Sequence, residues 1–143
     1  MRKKKLFSVV SLFLILAIAF ILANQETSSA SECRIVRIIA FASYQNVTLD
    51  PKTTYANKGD CVIWYNQAAS SGVKIIFEDG KKCTDVVEAS MDFQLNEDSC
   101  LVTKANIPPR GTASFVFDKA GSFDYIAEVT GTALKIKGTI KVQ

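Results

Sequence analysis

The chain has 143 residues, with 17 Lys and Arg, 14 Asp and Glu, and no histidine. Without imidazole it cannot form a Ser-His or Cys-His nucleophile pair, a zinc-hydrolase site or an imidazole-ligated haem. The formal charge of +3 comes from residues 1–30. Beyond them 13 bases and 13 acids remain, so net charge gives no indication of nucleic acid or acidic partners.

Residues 1–30 are typical of an export signal. The basic head Met1–Lys5 precedes the 18-residue apolar run Leu6–Ala23, and a polar stretch with small residues at Ser28 and Ala30 follows. This layout predicts a signal peptide cleaved after Ala30. The alternative is an uncleaved N-terminal membrane anchor, since 18 apolar residues just reach the length of a spanning helix. Both alternatives place a domain of residues 31–143 outside the cytoplasmic membrane, in the periplasm or beyond the cell. We expect contact with the membrane only through the N-terminal segment, if that segment is not cleaved.

From Cys33 onward, short runs rich in Val, Ile, Phe, Tyr and Thr alternate with Gly, Pro, Asn and Asp, which predicts β-strands. The runs are CRIVRIIAFAS, VTLD, KGDCVIWYN, VKIIF, TASFVFD, AGSFDYIAEV and LKIKGTIKV. Period-two alternation assigns to the core the aromatic residues Trp64, Phe115, Phe117, Phe123 and Tyr125. Six or seven strands in one domain predict a two-sheet antiparallel sandwich, because an apolar sheet face must be buried against another.

Residues 81–111 do not alternate. They predict a long loop between strands, with one helical turn around 86–89 and an extended exit forced by Pro108-Pro109. A loop of this length is often functional, and an inert insertion accounts for it equally well.

Four cysteines, Cys33, Cys61, Cys83 and Cys100, follow the export signal, and in an oxidising compartment disulfides are the default. Because Cys83 and Cys100 flank one polar segment, a bridge between them is predicted to staple the long loop, and Cys33 pairs with Cys61 by elimination. The rival is a four-thiolate metal site, but the intervals of 28, 22 and 17 residues lack the close pairs typical of such sites.

The order of elements resembles the cupredoxins, the plastocyanin and azurin family. KGDCVIWYN followed by VKIIF resembles the family pattern G-D-x-V-x-W-x-N and H-x-V-x-F, through Gly59, Asp60, Val62, Trp64, Asn66, Ile75 and Phe77. GSFDYIAEV and IKGTIKV resemble G-x-Y-x-Y-x-C-x-x-H and M-x-G, through Gly121, Phe123, Tyr125, Ile136, Gly138, Ile140 and Val142. The resemblance spans residues 47–142 and implies an all-β, two-sheet antiparallel Greek-key sandwich.

The same resemblance implies that the copper ligands of the family are missing. Blue copper takes two imidazoles and a thiolate, usually with a distant thioether. Val73, or Gly72 in a loop one residue longer, matches the first histidine, Ala127 the cysteine and Thr130 the second histidine. Ile136 or its neighbour Lys135 matches the methionine. We therefore expect no metal and no cofactor.

These patterns predict an exported, metal-free, cupredoxin-like domain that is not an enzyme and serves as a binding or structural module in the cell envelope. Its expected partner is an unidentified envelope protein. The expected contact surfaces are the 83–100 loop and the segments 70–73 and 127–133, because loops at the end of a rigid sandwich carry recognition. The alternative is a thiol-based metal-handling or electron-transfer accessory protein, which would require free cysteines.

Overall fold

The computed structural model describes residues 31–41, 46–77 and 90–143. These ranges contain ten strands and no helix. The strands are β1 (Cys33–Phe41), β2 (Asn46–Asp50), β3 (Thr53–Ala56), β4 (Cys61–Asn66), β5 (Val73–Phe77), β6 (Phe93–Leu95), β7 (Leu101–Thr103), β8 (Thr112–Val116), β9 (Gly121–Val129) and β10 (Lys135–Val142).

Two predicted elements lie outside the described residues: the signal peptide or anchor over 1–30, and the helical turn around 86–89. Across the part of the chain that the structure describes, no helical segment has the length and hydrophobicity to cross a bilayer.

The strands form two sheets. One has four strands in the order β2-β1-β4-β8, and the other has six in the order β3-β10-β9-β5-β7-β6. The predicted two-sheet β-sandwich is confirmed. Most neighbours are antiparallel, but β1 pairs with β4 and β3 pairs with β10 in parallel. Side-chain alternation is the same in both strand directions, so sequence periodicity could not reveal these two pairs.

Two short strands lie inside the stretch 81–111, which sequence reasoning treated as one long loop. β6 and β7 pair with each other, and β7 joins the six-stranded sheet through Ile76 and Val102. All three residues of β7 are buried. A three-residue strand covered on both faces shows no polar alternation, which is why the sequence pattern missed it.

The core between the sheets is built around Trp64. Its ring centroid lies 5.5 Å from that of Tyr125 and 5.7 Å from that of Phe77, both in near-perpendicular arrangements that favour aromatic pairs. The predicted burial of the alternating aromatic residues is confirmed for Trp64, Phe115, Phe117 and Tyr125. Phe123 is partly buried and packs against the same cluster.

Gly138 lies directly opposite Tyr125 in the pairing of β9 with β10. A Cβ atom at Gly138 would overlap the Tyr125 ring, so the glycine makes room for the buried phenol. Burial raises the pKa of Tyr125 to about 12, because the phenolate would be deprived of water. The glycine that resembles the family's M-x-G motif therefore has a packing role here.

The N-terminal end of the domain is fastened to the start of β4. Cys33 and Cys61 are register partners in adjacent parallel strands and form a disulfide with a Cα–Cα distance of 4.5 Å. Closing this 28-residue separation contributes about 3.5 kcal/mol in the chain-entropy account. Cys100 is also disulfide-bonded, and its predicted partner, Cys83, lies outside the described residues.

The carboxylate of Asp60 reinforces the same junction. Its two oxygens accept the backbone N–H groups of Asn57, at 2.8 Å, and Glu32, at 3.0 Å. These hydrogen bonds favour the ionised form and hold the pKa of Asp60 below its ordinary value, with Asn57 the larger cause.

Candidate functional site

The positions that the resemblance assigns to copper ligands come together at one end of the six-stranded sheet. There β5 begins at Val73 and β9 ends at Val129, and these two residues are register partners. Ala127, two residues back along β9, pairs with Ile75 on one side and Ile136 on the other. We call this region the loop end and define it by the connecting segments 67–72, 104–111 and 130–134.

Three of the four positions present only hydrocarbon. Val73 and Ala127 are fully buried in the core, and Ile136 packs against it. None of these side chains carries a lone pair that a metal accepts. The two alternative positions also supply no metal ligand. Gly72 has no side chain, and the Lys135 ammonium pairs with the Glu128 carboxylate at 3.0 Å.

Thr130 is the one residue of the four with a side-chain heteroatom. Its hydroxyl and its backbone N–H both donate to the carbonyl oxygen of Gly72, each at 2.9 Å. A hydroxyl in such a bond is a poor substitute for the imidazole of a blue-copper site. The residues present therefore do not fit a copper centre of the cupredoxin kind.

The space between these segments is closed by packing. A Cβ at Gly72 would approach the Thr130 hydroxyl oxygen to 2.9 Å and the Asn106 Cβ to 3.2 Å. Beside it, Val73 and Ile107 exchange two backbone hydrogen bonds, of 3.0 Å and 2.7 Å. These hydrogen bonds and this close packing hold the loop-end segments against one another.

A buried amide organises the rest of the loop end. Asn66, at the end of β4, has no exposed surface. Its Nδ2 donates to the carbonyl oxygens of Ser71 and Ile107, and its Oδ1 accepts the N–H of Ala68, all at 2.9 Å. One side chain thus joins the segment 67–72 to the segment 104–111. The motif comparison pointed to Asn66, but its structural role became apparent only from these contacts.

The turn Pro108–Gly111 adds a feature that sequence reasoning missed. Gly111 donates to the carbonyl oxygen of Pro108 at 2.8 Å, and Arg110 has a φ of 63°, in the left-handed region. The sequence predicted an extended exit from the double proline. The sequence pattern that could have predicted this turn is Pro-Pro-Arg-Gly, because proline and glycine favour tight turns.

The thiol alternative has little support among the described residues. None of their cysteines is free. In the same described ranges, no group of three or more His, Cys, Asp or Glu side chains is placed to hold a metal. A role for thiolates would thus begin with the opening of a disulfide.

Comparison with known proteins supports the fold. No protein-family model matches the chain, and no curated protein sequence matches it. Among solved structures, an oxidised amicyanin mutant is 19% identical with a TM-score of 0.51, the match covering 81% of this chain and 87% of that one. A Cu(I) form of another amicyanin mutant is 19% identical over the same coverage, with a TM-score of 0.49. The fold is therefore cupredoxin-like, and at this identity the likeness extends to the fold alone.

Proposed function

We propose that this protein is a metal-free cupredoxin-like module that binds a partner protein outside the cytoplasmic membrane and performs no catalysis. The observation that carries the proposal is the filling of the four ligand positions. Val73, Ala127 and Ile136 are hydrocarbon, and the hydroxyl of Thr130 bonds to Gly72. With these residues the fold lacks the donors that a blue-copper electron-transfer site requires.

The build of the loop end supports a binding role. The Asn66 amide, the Val73 and Ile107 bridge and the Thr130 bonds hold its loops in place. A pre-organised surface loses little conformational freedom on association, so more of the contact energy appears as affinity. The surface it exposes includes the small apolar residues Ala69, Pro108, Pro109 and Ala133.

Export is the second part of the proposal. It rests on the N-terminal pattern of a basic head and an apolar run, and the Cys33–Cys61 disulfide is consistent with it. Disulfides persist in oxidising compartments and are rare in the cytosol. The protein would then act in the periplasm or beyond the cell, either released or tethered by its N-terminal segment.

Site-specific photo-cross-linking in intact cells tests the binding role. A photoreactive amino acid replaces Ala133, which is exposed at the loop end, or Lys119, which is exposed in the β8–β9 connection at the opposite end. The expected result is a discrete protein adduct from position 133 and none from position 119. No adduct from position 133, or equal adducts from both, would contradict a recognition surface at the loop end.

A further inference from the structure

Arg110 occupies a backbone position that suits glycine. It is the third residue of the turn Pro108–Gly111, and its φ of 63° lies in the left-handed region. This turn position favours Gly or Asn, because a Cβ there crowds the following carbonyl. The chain does contain a glycine, but one residue later, at Gly111, where a Cβ would meet the Pro108 ring at 2.7 Å.

Among the described residues, Arg110 forms its hydrogen bond to the fold through its backbone. The Arg110 N–H donates to the carbonyl oxygen of Asn66 at 2.7 Å. The side chain is exposed, and among the described residues the guanidinium has no hydrogen-bond or ion-pair partner. An unfavourable backbone position whose side chain has no polar partner in the described part of the chain points to a role in recognition.

The charges of the two ends of the sandwich differ. The loop-end segments contain Lys104 and Arg110 and no Asp or Glu, and the carboxylate of Asp92, whose carbonyl oxygen accepts the Lys104 N–H, is bonded to Ser114. The connections at the opposite end mix both signs, with Lys52, Lys58, Asp60, Glu97, Asp98, Asp118 and Lys119. The balanced net charge beyond residue 30 therefore conceals two cations on the loop-end segments. A surface of this kind is complementary to an acidic one.

We propose that the loop end docks on a protein surface that presents a carboxylate, and that Arg110 binds this carboxylate. The planar guanidinium can donate two parallel hydrogen bonds to it, and the exposed apolar residues Ala69, Pro109 and Ala133 add uncharged contact surface to the loop-end segments. This inference rests on the proposed function and specifies the chemistry of its partner. An anionic membrane is a poorer fit, because electrostatic membrane binding uses clusters of four to eight Lys or Arg.

Three substitutions at one position separate binding from folding. Arg110→Gly removes the side chain and suits the turn, so we expect an unchanged or higher melting temperature together with weakened cross-linking from position 133. Arg110→Lys keeps the charge but loses the two-pronged geometry, and we expect an intermediate loss. Arg110→Glu should weaken binding roughly tenfold to a hundredfold, as removal of a charged hydrogen-bond partner does.

A charge-reversal control at Lys119 and a compensating change on the partner protein complete the experiment. Lys119→Glu makes the same change of charge sign at the opposite end, and we expect it to leave cross-linking from position 133 unchanged. Mass spectrometry of the adduct identifies the cross-linked peptide, which should lie beside an Asp or Glu of the partner. Changing that acidic residue to Arg should restore cross-linking to the Arg110→Glu variant, as expected of a direct pair.

The outcomes distinguish this inference from the function on which it rests. Full cross-linking by the Arg110→Gly and Arg110→Glu variants would overturn the role of Arg110 and leave the loop end as a binding surface. A lipid adduct in place of a protein adduct would also overturn the inference. An absence of any adduct from position 133 in the otherwise unaltered chain would remove the proposed function itself.

Discussion

Thr130 donates twice to the carbonyl oxygen of Gly72, through its hydroxyl and through its backbone N–H, each at 2.9 Å. Thr130 stands where the resemblance assigns the second histidine ligand of a cupredoxin. The joining of these two loops is thus carried by hydrogen bonds of the chain itself. Stability of the loop end should accordingly depend on polar contacts and be insensitive to copper or chelators.

The Thr130→Val variant tests the side-chain half of this relationship. It keeps the shape and removes the hydroxyl, so we expect the free energy of unfolding to fall by about 1 kcal/mol, the usual net worth of one hydrogen bond. Denaturant unfolding measures the difference. Thr48→Val, at an exposed position of β2, serves as the matched control and should change stability little. Equal effects of the two substitutions would contradict the assignment.

Asn66→Ala should be more damaging. It leaves the carbonyl oxygen of Ser71 and the N–H of Ala68 without this partner, while the carbonyl oxygen of Ile107 keeps its bond from the Val73 N–H. At about 1–3 kcal/mol for each unpaired group, we expect a loss of at least about 2 kcal/mol. Asn46→Ala, at the exposed start of β2, is the control, and a loss no larger than that of the control would refute the central role of the amide.

Asn66→Asp adds a test by pH. A carboxylate at this site would lie buried against two carbonyl oxygens, which disfavours the ionised form. The variant should therefore be less destabilised near pH 4 than at pH 7, since protonation removes the buried charge. A loss that does not change with pH would contradict this account.

We expect the carboxylate of Asp60 to give a second pH dependence of stability, opposite in sign to that of the Asn66→Asp variant. Its pKa is lowered in the folded state by the N–H groups of Asn57 and Glu32, so its contribution to stability is fully present above about pH 4. That contribution is lost as the pH falls through the lowered folded pKa. Asp60→Asn should be less stable than the original at pH 7, and the difference should shrink in acid. A constant difference between pH 7 and pH 2 would argue against the hydrogen-bonded carboxylate.

The Cys33–Cys61 bridge should contribute substantially to stability. We expect the Cys33→Ala and Cys61→Ala double variant to lose about 3.5 kcal/mol relative to the oxidised protein, since the bridge closes a separation of 28 residues. The corresponding double serine variant should lose a similar amount if the crosslink, rather than packing of sulfur, is responsible. A loss below about 1 kcal/mol in both would show that the bridge constrains the unfolded chain little.

The sequence predicted the sandwich through alternation, and the structure confirms it, whereas the expectation that the copper ligands are missing came from composition and motif and stays a prediction. Trp64 and Tyr125 are core residues, as their spacing predicted, because a β-strand turns every second side chain inward. The sequence did not predict the two parallel strand pairs, because strand direction does not change the alternation of side chains. It did not predict the short strand β7, because a strand buried on both faces shows no polar alternation.

The finer features of the candidate site were beyond prediction for another reason. The three hydrogen bonds of Asn66 join segments up to 41 residues apart, and the left-handed backbone of Arg110 depends on a turn closed by Pro108 and Gly111. Long-range polar contacts and single dihedral angles are set by the assembled fold. A local sequence pattern can single out a residue, but it does not determine which distant residue that side chain contacts.

A variant that restores the ligands provides the positive control for the central claim. Combining Val73→His, Ala127→Cys, Thr130→His and Ile136→Met places the family's donor set at the four corresponding positions, which converge at one end of the six-stranded sheet. If those positions correspond to the ligands as the resemblance implies, we expect this variant to bind copper with an intense charge-transfer band.

The most direct measurement is therefore the copper content and visible spectrum of the purified protein after incubation with copper and removal of the excess, with the four-ligand variant alongside. We predict that the original chain retains no stoichiometric copper and shows no charge-transfer band, while the variant acquires both. Stoichiometric copper with such a band in the original chain would contradict the account. It would mean that thiolates, carboxylates or backbone groups form a metal site in this cupredoxin-like domain.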